Sequence, residues 1–140
     1  MEYTNLINTL NQIGLEVRNK YKDKISSATG KLYNSIDYKV TISNDSIKLL
    51  FIAEDYWINV EEGRKAGSRM PPIRDIEDWI IAKGLPEKKG LAYIIARSIA
   101  EKGIKPTYYL RDIMINNDFS DEIAKALQKD INIEINKWKY

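Results

Sequence analysis

The sequence contains no cysteine and no histidine. Without cysteine there is no disulfide, no thiolate zinc site and no cysteine nucleophile, and the fold is insensitive to the redox state of its compartment. Without histidine there is no Ser-His-Asp triad, no imidazole base near neutral pH and no histidine metal ligand. Excess charge of one sign is also lacking. The 22 Lys+Arg against 20 Asp+Glu leave a formal net charge of +2, short of the basic excess that a dedicated nucleic-acid binder uses to neutralise phosphates. No apolar run approaches the roughly 18 to 20 residues of a membrane span. Residues 1–21 are apolar on one face only and carry Glu16, Arg18 and Lys20, so they lack the apolar h-region of a signal peptide. The expectation is a chain made and kept in a cytoplasm until something carries it elsewhere, with no membrane partner.

What is present describes an ordinary globular protein. Hydrophobic residues make up 44% and charged residues 30% of 140 positions, with four prolines and seven glycines, enough for one buried core and a single domain over 1–140. Tyr3, Leu6, Ile7, Leu10, Ile13, Val17 and Tyr21 recur at three- and four-residue spacings and predict an amphipathic helix. Ser26, Ser27 and Thr29-Gly30 interrupt it, and residues 31–35 suit a short turn of helix capped by Thr29. From Ile36 the period becomes two, with Tyr38, Val40 and Ile42 alternating with polar residues, which predicts a half-buried strand. Asn44-Asp45 supplies a turn, and residues 47–53, apolar on both faces, predict a more buried strand paired to it in a hairpin.

Residues 54–62 read as a short helix stopped by Gly63, and 63–70 as a polar loop. Pro72 fits the first position of a further helix, with Asp75, Glu77 and Asp78 at the positive end of its dipole and Ile73, Ile76, Trp79 and Ile80 on its apolar face until Gly84. Leu91, Ala92, Ile95 and Ile99 predict another helix between Gly90 and Gly103. A short element opens at Tyr108-Tyr109-Leu110 and ends near Asn116-Asn117. The last helix should start with Ser120 as N-cap after Phe119, carry the stripe Ile123, Leu127, Ile131 and Ile135, and close on Lys137, Trp138 and Lys139. There is no internal repeat. The fold class is α+β: an N-terminal helix, a β-hairpin or small antiparallel sheet, several packed helices and a C-terminal helix.

Asp75 and Asp78 lie three apart, a spacing that suits a divalent metal or an acid–base pair, but dipole pairing already accounts for them. Glu61-Glu62 and Glu54-Asp55 are adjacent in sequence and diverge on a helix. No catalytic, cofactor-binding or metal-ligating residue is therefore assigned. The run Gly63-Arg64-Lys65-Ala66-Gly67-Ser68-Arg69 is basic, free of acids and freed by two glycines for close approach. It is a solvated loop, a subunit contact or a phosphate contact, but not a P-loop, whose glycine spacing and Gly-Lys-Ser/Thr ending are missing. Tyr108, Tyr109, Trp57 and Trp138 suit a core or an interface better than base stacking, since no RNP-like strand surrounds them.

Three segments in order carry a resemblance. Ala28-Thr29-Gly30-Lys31-Leu32-Tyr33-Asn34-Ser35-Ile36 resembles the S-G-x-L-x-x-S-I stretch before the hairpin of tailed-bacteriophage neck and tail-completion (head–tail joining) proteins, with Thr29 where serine is common. Tyr56-Trp57-Ile58-Asn59-Val60-Glu61-Glu62-Gly63 resembles their Y-x-x-x-V-E-x-G element. Ile94-Ile95-Ala96-Arg97-Ser98-Ile99, with Gly103-Ile104-Lys105-Pro106-Thr107-Tyr108-Tyr109-Leu110, is similar to their arginine-bearing helix and G-I-x-x-x-x-F-L ending, with Tyr108-Tyr109 in place of proline-phenylalanine. Met70-Pro71-Pro72 followed by Ile76, Trp79, Ile80 and Lys83-Gly84-Leu85 matches a variant with an inserted helix.

The resemblance spans about residues 28–110. It implies a structural virion protein, assembled in the host cytoplasm, that forms a cyclic homo-oligomer around the DNA channel at the head–tail interface. Its partners would be copies of itself and portal, adaptor or tail proteins, with DNA passing through unread. It implies no cofactor and no chemistry. A cyclic ring needs two different patches per subunit. The candidates are the hairpin and the residues Gly63, Arg64, Lys65, Gly67, Arg69, Tyr108 and Tyr109. Two other readings stand beside it: a small nucleic-acid-binding domain using the loop 63–69, and a metal-dependent hydrolase or nuclease using Asp75, Asp78 or Glu62.

Overall fold

A computed structural model describes residues 1–25, 30–86 and 88–138. Its elements are α1 (Thr4–Lys24), α2 (Gly30–Ser35), β1 (Asp37–Ile42), β2 (Ile47–Ile52), α3 (Trp57–Glu62), α4 (Ile73–Ala82), α5 (Leu91–Lys102), α6 (Tyr109–Asn116) and α7 (Phe119–Lys137). This is the expected α+β arrangement. The Ser26-Ser27 break, the Ala28-Thr29 start of the first resembling segment with its Thr29 cap, and Lys139 lie outside the described residues.

Helix α1 buries Leu6, Leu10, Ile13, Gly14, Val17 and Tyr21; of the stripe read from its spacing, Tyr3 and Ile7 are only half-buried. Of the buried set, Ile13, Val17 and Tyr21 join Ile25, Leu32, Ile36, Ile113 and Phe119 in the main core. Gly14 is the point where the hairpin seats: a Cβ there would lie 2.4 Å from the Tyr38 ring and 2.9 Å from Leu49, closer than any side chain tolerates. The strands pair antiparallel, Tyr38 opposite Phe51, Val40 opposite Leu49 and Ile42 opposite Ile47. Residues opposite one another share a face, so this apolar set lies toward α1.

The other face carries Lys39 opposite Leu50 and Asp37 opposite Ile52, and it corrects the expectation of a more buried second strand. Leu50 is 38% and Ile52 44% exposed. The described sheet has only two strands and α1 packs on one side of it, so Leu50 and Ile52, two of the five apolar residues of β2, stay exposed on the other side, and Phe51 on the α1 side is as exposed as Leu50.

A second core lies between α4 and α5, where Ile76, Ile80, Ala92 and Ala96 pack with Met70, Ile73, Trp79, Leu91, Ile95 and Ile99. Pro72 stands one place earlier than expected, as the extended N-cap of α4 (φ −56°, ψ 132°). Its locked φ suits either position, and helix starts inferred from sequence slip by a residue.

Helix α7 also begins earlier than Ser120 predicts. Asp118 is the N-cap, and the Ser120 hydroxyl donates to Asp118 Oδ1 at 2.6 Å, holding that carboxyl below its ordinary value. The buried face of α7 is Phe119, Ala126 and Asp130; Ile123, Leu127 and Ile131 are half-buried beside it, and Ile135 is exposed. The stripe is therefore rotated toward a charged residue. Asp130 Oδ2 accepts the backbone N–H of Leu6 at 2.8 Å, and Oδ1 accepts the backbone and side-chain N–H of Asn5, each at 3.0 Å. Tyr3, the N-cap of α1, makes no such bond. The N-terminus of α1 is thus capped by a carboxylate from the far end of the chain. Burial raises the pKa of Asp130, the donors of Leu6 and Asn5 lower it, and the lowering prevails.

Candidate subunit-contact surface

Helices α3 and α5 end alike. Gly63 (φ 72°) and Gly103 (φ 74°) each turn the chain through the left-handed region. The residues that follow, Arg64 and Ile104, then form an antiparallel bridge whose N–H groups donate both ways at 2.9 Å. The two glycines also face each other's strands. A Cβ on Gly63 would lie 2.2 Å from the Ile104 carbonyl oxygen, and one on Gly103 2.3 Å from that of Arg64. Glycine is required twice over at both positions. The zipper continues as Thr107 donates its N–H (3.2 Å) and hydroxyl (2.7 Å) to the Val60 carbonyl and Tyr108 its N–H to the Glu61 carbonyl at 3.0 Å.

The loop 63–69 is pinned by this junction. Gly67 N–H donates to the Ala100 carbonyl at 2.7 Å at the end of α5, and Ser68 N–H to the Lys65 carbonyl at 3.2 Å. The Arg64 guanidinium turns back to donate to the Arg69 carbonyl. Among the basic side chains of the run, Arg64 is tied into the loop, while Lys65 and Arg69 are exposed.

Tyr108 and Tyr109 part company. Tyr108, the only non-glycine at positive φ among the described residues (51°), is half-buried, with the Arg111 guanidinium 3.9 Å from its ring centroid. Tyr109 packs against the main core. Between them Glu61 does what sequence spacing did not reveal. Its buried carboxylate accepts the N–H of Leu110 (2.8 Å) and Arg111 (3.0 Å) and so caps α6 from α3.

Two clefts flank the junction. The first, about 420 Å³, is lined by the apolar Leu32, Ile76, Ile95, Ile99 and Ile104, by Tyr56 and Trp79, and by the acids Glu54, Asp55, Asp75 and Asp78. The sequence keeps these two acidic pairs apart, and the fold brings Glu54 and Asp55, just ahead of α3, and Asp75 and Asp78 of α4 to one groove. Among the described residues no set of three acids is placed to hold a metal ion. Burial pushes the Tyr56 phenol above its ordinary pKa, with Arg64 opposing and Asp75 adding to the shift.

The second cleft, about 460 Å³, lies between α1, the end of β2 and α3, lined by Val17, Arg18, Tyr21, Ile36, Phe51, Trp57 and neighbours. Arg18 Nη1 sits 3.5 Å from Asp37. Arg18 Nε and the Tyr21 hydroxyl are buried without a hydrogen-bond partner among the described residues. Burial, then the charge of Glu61, pushes the Tyr21 phenol up to about 12.

Large apolar side chains stay uncovered on several elements: Ile42, Leu50 and Ile52 on the hairpin, Ile81, Tyr93 and Ile94 on α4 and α5, Met114 and Ile115 on α6, and Ile133, Ile135 and Trp138 at the end of α7. No protein-family model, no curated protein and no solved structure matches this chain.

Proposed function

We propose that this chain is a structural subunit of a tailed-bacteriophage virion that assembles into a ring at the head–tail junction, as a neck or tail-completion protein, and performs no catalysis. The observation that carries the reading is the distribution of uncovered apolar residues. They lie on the hairpin, on α4 and α5, on α6 and at the end of α7, with Leu15 of α1 and Ile58 of α3 exposed as well, so more than one side of the subunit offers apolar surface, as suits one that meets its neighbours through different patches. The resembling segments at 56–63 and 103–110 are also hydrogen-bonded to each other in one junction, which supports reading them together. Its partners are further copies and the portal, adaptor or tail proteins above and below, and DNA slides through the ring unread.

The test is the mass of the purified protein by light scattering, with and without double-stranded DNA at moderate salt. A discrete multi-subunit mass, or a monomer that ignores DNA and assembles on a portal complex, is the expected outcome. The exposed Lys65 and Arg69 favour a second reading, a nucleic-acid-binding domain, and tight, salt-sensitive DNA binding by a monomer would establish it instead.

A further inference from the structure

The acidic groove and the end of α7 are complementary in three respects. The groove is lined by apolar side chains, by the aromatic Tyr56 and Trp79, and by four acids, Glu54, Asp55, Asp75 and Asp78. Among the described residues none of the four is in an ion pair. Carboxylates accept hydrogen bonds and offer no donor, so the matching occupant brings apolar surface, an N–H donor and positive charge together.

The last turn of α7 brings all three. Trp138 is 77% exposed, the most exposed of the large hydrophobic side chains described. Its indole is a large apolar body with one N–H donor and no acceptor. Ile135 is exposed beside it. Lys137 supplies the cation and offsets the negative end of the helix dipole. Its own ion pair, to a half-buried Glu134, is long at 3.8 Å and its ammonium end is exposed, so the lysine can exchange it for a better partner. The other basic run fits less well: the loop 63–69 has no large apolar side chain to set against the apolar lining and is hydrogen-bonded back onto its own α5.

We infer that the groove of one copy receives Trp138 and Lys137 from α7 of a second copy. The inference rests on the proposal that the chain self-assembles, and it names the contact. The indole lies on Ile76, Ile95 and Ile99 against Tyr56 and Trp79, its N–H donates to a carboxylate, and Lys137 pairs with the remaining acids. In the ring the contact is heterologous, each copy giving its tryptophan to one neighbour and its groove to the other.

The test uses the full-length chain in sedimentation and light scattering over a range of concentrations. Trp138→Ala should weaken self-association by about 30-fold or more, the effect of removing a buried interface tryptophan, with circular dichroism and thermal melt unchanged because the residue is exposed in the monomer. Lys137→Glu and the double variant Asp75→Lys/Asp78→Lys should do the same from either side. Mixing is the decisive arm. The Trp138→Ala chain keeps a groove and the lysine double variant keeps a tryptophan, so a one-to-one mixture should give a heterodimer where each alone is monomeric. Should the double variant fail to fold, Trp138→Ala and Lys137→Glu carry the test. A multi-subunit wild type whose mass these changes leave alone overturns the contact and keeps the ring. A wild type monomeric at every concentration also overturns the contact, and the ring is then judged by assembly on a portal complex.

Discussion

Asp130 accepts the backbone N–H of Leu6 at 2.8 Å across a separation of 124 residues. The last helix of the chain thereby caps the first, joining two ends that no local signal relates. A charge-assisted bond to a helix N-terminus contributes about 2 kcal/mol. Asp130→Ala should lower unfolding stability by about that amount or more in urea melts. The pH dependence follows from the lowered carboxyl pKa. The contribution is complete above the ordinary carboxylate range, about pH 4, and is lost as the pH falls through the lowered folded value. Asp130→Asn should flatten that acid-side loss, and an unchanged acid profile would remove the carboxylate from the account.

The paired glycines give a graded prediction. Gly63→Ala and Gly103→Ala place a methyl against a backbone carbonyl in a left-handed conformation, and each should cost more than about 2 kcal/mol. Gly67→Ala has the same strained φ but open space around it, and should cost only about 1 kcal/mol. Thermal melts of the three variants separate conformational strain from steric overlap.

Tyr21 should tolerate loss of its hydroxyl. The group is buried and unpartnered among the described residues, so Tyr21→Phe removes a desolvated polar atom without breaking a bond and should leave stability equal or raise it by about 1 kcal/mol. Its phenol pKa is raised to about 12 in the folded state, above the ordinary value of about 10. The folded form therefore holds its proton where the unfolded chain has lost it, and stability falls from about pH 10 upward. Alkaline melts of the phenylalanine variant should fall less steeply than those of the wild type.

The basic loop divides into one structural and two surface residues. Arg64→Ala removes the tie to the Arg69 carbonyl and should lower the melting temperature. Lys65→Glu with Arg69→Glu changes only exposed side chains and should leave the melt intact while impairing ring assembly or docking. Unaltered assembly would exclude the loop from the interface.

The outer face of the hairpin is testable in the same way. Leu50→Thr with Ile52→Thr replaces exposed apolar residues by β-branched polar ones that keep strand propensity. The monomer should fold as before, and assembly measured by light scattering should weaken if this face is buried between subunits.

The sequence by itself determined which stretches become helix and which become strand. That information is local: the spacing of Leu6, Leu10, Ile13 and Val17, the alternation around Tyr38 and Val40, and the stops at Gly63 and Gly103 each act through side chains and backbone angles within a few residues. The starts of α4 and α7 shifted by a place or two for the same reason, since several neighbouring residues there are adequate caps, and α3, read from residue 54, starts three residues later at Trp57. What only the tertiary structure decided are relations between segments distant in the chain. Asp130 became the cap of α1, Glu61 the cap of α6, and Gly63 and Gly103 became mutually indispensable. Glu54, Asp55, Asp75 and Asp78 came to line one groove, and β2 was left with an uncovered face. Whether a buried carboxylate finds a helix end, or an apolar face finds a cover, depends on which elements approach within a few ångströms, and periodicity along the chain carries no term for that distance.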